Sequence, residues 1–271
     1  MYSFIVNSID QVKLSNLKAN LEHVMRRTSW ELIHIPDATG MCEGYNRGMN
    51  LAKGEHLIFC HDDIEFVTDD ASESLEYAFK FSDVFGVLGT RRTVGANFMR
   101  AGIPHLLGLW VQKDQTGLYE LCISAIEGVL MCGAQSLDGL LIGCHRSVAF
   151  NLRWDEETFL GWHGYDADFS YRAFRAGLNV TVCASIPLVH TTNGTFADEG
   201  FIRAEALFFK KHPETMRKDF QCGHLGSLRF AGYQSCADVT RALADNFDYL
   251  IRKTGEVRAE FLGSTAMKHL I

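Results

Sequence analysis

Two adjacent carboxylates, Asp62 and Asp63, follow the apolar run His56-Leu57-Ile58-Phe59-Cys60, with only His61 between. Side-by-side carboxylates repel unless a cation sits between or beside them. Hard oxygen ligands just past a strand's carboxyl end suit Mg2+ or Mn2+, ions that also bridge diphosphates. A solvated turn capping the next element accounts for the same dipeptide. A second cluster runs Gly161-Trp162-His163-Gly164-Tyr165-Asp166-Ala167-Asp168-Phe169-Ser170-Tyr171-Arg172. Helical phase turns Phe169, Ala173 and Phe174 inward and leaves Asp166 near the helix start, where the dipole favours an ionised carboxylate or a cap. Asp168 lies four residues before Arg172, the spacing of a structural ion pair. Trp162 and His163 offer a platform for the apolar face of a sugar, or ordinary loop packing. A third cluster, Leu188-Val189-His190-Thr191-Thr192-Asn193-Gly194, places one histidine after an apolar strand. Its imidazole either completes a carboxylate metal site or is a satisfied hydrogen-bonding side chain.

These residues need elements to hold them, and the hydrophobic pattern supplies a set. Residues 3–6 read as a buried first strand, and Leu14, Leu17, Leu21 and Val24 recur at helical spacing after it. Residues 31–35 read as a second strand, 45–52 as a helix stopped by Lys53-Gly54, and 56–60 as a third strand. Asp69 or Asp70 can cap a helix with Leu75, Ala78 and Phe79 on its inner face. Residues 85–88 read as a fourth strand. From 91 to 135 the pattern is weak, with short strands around 109–111 and 118–123; such a stretch reads as a lid or a variable insert. Strand 140–142, helix 165–176, strand 180–183 and amphipathic helices 199–212 and 237–252 complete the chain. Strands alternating with helices at this pace predict an α/β fold with a doubly wound, mainly parallel sheet, helices on both faces and a C-terminal helical extension.

Composition narrows the function classes. The chain has 271 residues, 47% hydrophobic and 22% charged, enough to bury a sizeable core. A net charge of −7 gives no basic face for nucleic acid. Eight cysteines, Cys222 among them, occur without a Cys-x-x-Cys pair; Cys60, Cys144 and Cys183 sit in or beside apolar runs as small buried hydrophobes. Scattered thiols fit a reducing cytoplasm. The N-terminus lacks a signal peptide's basic start, and no window approaches a transmembrane span, so a lipid acceptor would have to be met at the membrane's inner face. Lys210-Lys211 and Arg252-Lys253 are basic pairs for a surface or partner, or solvated faces.

The order of the three clusters resembles the family-2-like glycosyltransferases of the GT-A fold. Tyr45-Asn46-Arg47-Gly48, Ala52-Lys53-Gly54-Glu55 and Phe59-Cys60-His61-Asp62-Asp63 look like one family segment. Gly164-Tyr165-Asp166-Ala167-Asp168-Phe169-Ser170-Tyr171-Arg172-Ala173 with Ala176-Gly177 looks like another. Leu137-Asp138-Gly139 and the Trp-His-x-Tyr-Asp-x-Asp run match a bacterial subgroup. The resemblance spans residues 3–194 and implies a GT-A domain over 1–212 with an extension over 213–271. It also implies a nucleotide-sugar donor, a UDP-sugar by preference, held by Asn7, Ser8, Asp37, Asn46, Arg47 and Asp62. Asp63, His190 and His61 would ligate Mn2+ or Mg2+. Asp166 would be the catalytic base, and Asp138, Trp162 and His163 would meet a glycan or lipid-linked acceptor. The implied reaction is inverting transfer to an acceptor hydroxyl in polysaccharide synthesis. Two positions depart from the family pattern: His61 stands where the first Asp of Asp-x-Asp is usual, and Tyr165 where a Glu precedes the base.

Three alternatives compete. A sugar nucleotidyltransferase needs a glycine-rich phosphate loop after the first strand, and residues 7–20 hold no glycine. A metal-dependent hydrolase could draw on His61, Asp62, Asp63, His163 and His190, without any paired-ligand spacing. A nucleotide-sugar or carbohydrate-binding module on the same fold, without catalysis, is the non-enzymatic alternative that His61 and Tyr165 suggest.

Overall fold

The computed structural model describes residues 1–114, 116–191, 198–216 and 228–263, with side chains as far as 259. Cys222 and the Thr192-Asn193-Gly194 part of the third cluster lie outside the described residues. The first half runs β1 (Tyr2–Asn7), α1 (Gln11–Val24), β2 (Trp30–Ile35), α2 (Met41–Leu51), β3 (His56–Cys60), β4 (Ile64–Phe66) and α3 (Ser72–Phe81). Then come β5 (Val84–Gly86), β6 (Leu88–Thr90), β7 (Leu106–Lys113), β8 (Tyr119–Ala125), β9 (Leu130–Cys132), β10 (Ser136–Leu137) and β11 (Leu141–His145). The remainder is α4 (Arg146–Leu152), α5 (Tyr165–Arg175), β12 (Val180–Cys183), β13 (Leu188–His190), α6 (Glu199–Lys211), β14 (Leu228–Tyr233) and α7 (Cys236–Gly263).

The first sheet has the order β2-β1-β3-β11-β5-β12-β9. Its β1–β2, β1–β3 and β5–β12 pairs are parallel, and β11 runs antiparallel between β3 and β5. Period-two alternation explains why it carries helices on both faces. Ile5, Phe59 and Ile142 point to the core shared with Met41, Tyr45 and Met49 of α2. Phe4, Val6, Ile58 and Leu141 point to the core shared with Leu17 and Leu21 of α1 and Leu75, Ala78 and Phe79 of α3. The chain thus has the expected α/β class of the GT-A type, with antiparallel pairs added by its second half.

Several expectations are corrected. Residues 85–88 form no single strand: β5 ends at Gly86 in the first sheet, and β6 starts at Leu88 in a second one. A continuous apolar run reports burial and says nothing of which sheet each residue joins. The 91–135 stretch is no insert either. Its β7 and β8 form an antiparallel hairpin at the centre of the second sheet, where β7 also pairs with β6 and β13. Helix α2 begins at Met41, four residues early, because its first turn docks on the chain before α5 through Met41 N–H to the Gly161 carbonyl (2.9 Å). Asp70, not Asp69, receives the Ser72 N–H before α3. The C-terminal segment is not purely helical: β14 pairs with β8 and α7 packs beside it. Lys211 is no free surface charge, because its ammonium bonds to Asp155 and Asp168.

Candidate functional site

Residues 61–63 are the bridge between the two sheets. β3 ends at Cys60 in the first, and β4, starting at Ile64, pairs antiparallel with β13 in the second, His190 opposite Ile64. That register brings His190 beside Asp63 across 127 residues of chain. Thr191 reinforces it, its N–H and hydroxyl both donating to the Asp63 carbonyl at 3.2 Å. His190 Nε2 lies 3.6 Å and His61 Nδ1 3.9 Å from Asp63 Oδ1. One ligand atom from each of the three residues lies within 4.8 Å of the others. Two donors each about 2.1 Å from a shared ion stand roughly 3–4 Å apart, so the set fits a divalent cation after small shifts. Burial lowers the His190 pKa, partly offset by Asp63, which favours the neutral imidazole a metal requires.

Helix α5 delivers the base candidate. It starts from Gly164, whose φ of +77° is the left-handed region that glycine occupies without penalty. The turn aims Asp166 into the molecule, where Oδ2 accepts the Gly139 N–H at 2.9 Å. Burial first and the Asp138 charge second, partly opposed by backbone N–H groups, bring the Asp166 carboxyl up to about 7. The floor beneath is aromatic: Trp154 stacks on Phe169 (4.1 Å between centroids) and meets Tyr45, Phe59 and Tyr165.

A cleft of about 220 Å³ gathers these parts: His61, His190, Asp138, Asp166, Trp162 and His163 all line it. The three sequence clusters therefore converge on one space. Trp162 is half exposed at its rim, and His163 is held by Asp198 (3.3 Å), the residue capping α6. Asp62 and Asp63 instead face a second hollow of about 500 Å³, with Lys13 from the first turn of α1. Lys13 Nζ stands 3.7 Å from Asp63, and the Ser8 hydroxyl donates to Asp62 at 2.5 Å.

Other candidates have different engagements. Asn46 is buried with both ends of its amide bonded to the Trp154 backbone (2.8 and 3.1 Å), so it braces the α4–α5 connection and lines neither hollow. Asp37 and Arg47 pair with each other at 2.6 Å on the surface beyond β2. Asn7 donates to the Met41 carbonyl at 3.3 Å. Sequence reasoning missed Ala96, Asn97, Phe98 and Phe201, which also line the cleft. The first three lie where no periodicity was visible. Phe201 gave a signal only as an inward residue of the 199–212 helix.

The chain belongs to a glycosyltransferase-like family, whose pattern it matches over residues 3–212. Among solved structures, it is similar to A197 from STIV at 10% identity and a TM-score of 0.40, covering 73% of this chain and 97% of that one. No curated protein matches the sequence. Among the described residues, no helix is long and apolar enough to cross a membrane.

Proposed function

We propose that the protein transfers a sugar from a nucleoside-diphosphate donor, a UDP-sugar by preference, to an acceptor hydroxyl with inversion at the anomeric carbon. The observation that carries this reading is the shared cleft: the partly buried Asp166 carboxyl, raised to about 7, and the two imidazoles of the His61–Asp63–His190 cluster open onto the same 220 Å³. We place the transferase unit at 1–212, of which the family match covers 3–212, with the extension over 213–271 joined to it through β14 and α7.

Asp63, His61 and His190 would hold the divalent ion, which when bound supplies positive charge against the departing diphosphate. Two imidazoles suit Mn2+ better than Mg2+, which demands oxygen ligands. Lys13 adds a fixed positive charge on the same side. Ser8 orients Asp62 toward the donor, with Asp37 and Arg47 further out at the β2 end. Trp162, His163 and Asp138 border the acceptor's approach. Asp166 removes the proton from the acceptor hydroxyl as its oxygen attacks the anomeric carbon opposite the leaving group, and a single displacement inverts that centre. The acceptor would be a glycan or a lipid-linked sugar.

The test incubates the full chain with nucleotide sugars and Mn2+ and follows release of nucleoside diphosphate. Asp166→Asn should cut turnover by about 10²–10⁴ while donor binding with Mn2+ stays near wild type. Full turnover in that variant would remove Asp166 as the base.

A further inference from the structure

Tyr165 touches the cation site, and the transfer mechanism leaves it without work. It is buried, at 4% exposure, and its hydroxyl lies 2.8 Å from His61 Nε2. The other ring nitrogen of His61, Nδ1, is the one that faces Asp63. An imidazole binds a cation only through a nitrogen without a proton, and the hydrogen bond made by the second nitrogen decides which one that is. With a cation between His61 and Asp63, one tautomer serves both sides of the ring: a proton on Nε2 donated to the Tyr165 oxygen, and a lone pair on Nδ1 for the cation that Asp63 shares.

The surroundings are shaped for this bond. A Cβ at Gly139 would lie 2.0 Å from the Tyr165 hydroxyl oxygen, so only glycine leaves room for it. The same Gly139 donates its N–H to Asp166. Tyr165 and Asp166 are the first two residues of α5. One turn and one helix start thus hold the base on one side and the His61 ring on the other.

We infer that Tyr165 is a positioning residue that fixes His61 in the Nδ1-ligating tautomer, so that the cation site is completed by the helix start that carries the base. The inference rests on the proposed His61–Asp63–His190 cation site. Losing such an orienting partner lowers metal affinity by about 10–100-fold in known metal sites.

The experiment titrates the full chain with Mn2+ alone, by electron paramagnetic resonance of the free ion, in wild type, Tyr165→Phe and His190→Ala. Thermal unfolding serves as the fold control, and ¹⁵N spectra of labelled histidine report the tautomer. Tyr165→Phe should weaken Mn2+ binding by about 10–100-fold with unfolding unchanged. Its His61 signals should move from a single Nε2–H tautomer toward a mixture. Wild-type affinity in Tyr165→Phe, with binding lost in His190→Ala, would overturn the role of Tyr165 and leave the cation site standing. No Mn2+ binding by wild type, or undiminished binding by His190→Ala, would remove the cation site and this inference with it.

Discussion

Asp166 and Asp168 stand two residues apart at the start of α5, the first partly and the second fully withdrawn from water, and the protein treats them in opposite ways. Burial first, and the Asp138 charge second, raise the Asp166 carboxyl to about 7. Burial also pushes Asp168 up, but a hydrogen bond from His212 and the charges of Arg172 and Lys211 outweigh it and hold the group below its ordinary value. The three partners stand 2.7–2.8 Å from its oxygens. Two residues along a helix turn a side chain by about 200°, so one carboxyl faces the cleft and the other faces α6. The difference teaches that burial alone assigns no role to a carboxylate. A buried acid whose neighbours share its charge is poised to exchange a proton near neutrality, whereas one surrounded by cations is fixed as an anion and ties elements together.

Substitutions that neutralise each carboxyl should therefore move stability in opposite directions. The largest effect is expected for Asp168→Asn, which leaves Arg172, Lys211 and His212 without their anion. Denaturant unfolding at pH 7 should show a loss of about 3–5 kcal/mol, and a change under 1 kcal/mol would mean that the network is not coupled to folding. Asp166→Asn should do the reverse at pH 8. A carboxyl raised in the folded state weakens stability progressively as pH climbs from its unfolded value toward 7, and the loss is complete above that. The neutral amide removes this penalty, a gain of about 1–4 kcal/mol at pH 8 that vanishes near pH 4. Equal gains at both pH values would contradict the raised pKa. The smallest effect sharpens the cause. In wild type kcat/KM should fall with acidification through an apparent pKa near 7, since Asp166, as the proposed base, would have to be ionised to accept a proton. Asp138→Asn should carry that acidic limb to lower pH, and an unmoved limb would show that burial acts without help from Asp138.

The Asp168–Arg172 pair was legible in the sequence because four-residue spacing puts two side chains on one helix face whatever lies around them. Its further partners Lys211 and His212 were not, since they arrive from α6, more than 40 residues on. The same division holds for the fold. The strands ending at Asn7, Ile35 and Cys60, and the helices packing with Leu17 and Leu75, follow from local periodicity. The switch between sheets at Val87 and the β7–β8 hairpin do not, because strand pairing depends on partners remote in the chain. Around the site, residue types marked His61, Asp63, Asp166 and His190 as candidates, while Tyr165 reads in the sequence only as a departure from the family pattern and shows its role only through its contact with His61.

What the chain's own order of residues determined was its inventory: which segments are apolar enough to be buried, where a helix can start, and which acids and imidazoles lie at strand ends. Tertiary structure alone decided which of them meet. His190 reaches Asp63 because β13 pairs with β4, and the Asp166 carboxyl is raised because folding takes it out of water beside Asp138. Distances and desolvation are properties of the packed chain, set by contacts between residues that no local pattern relates.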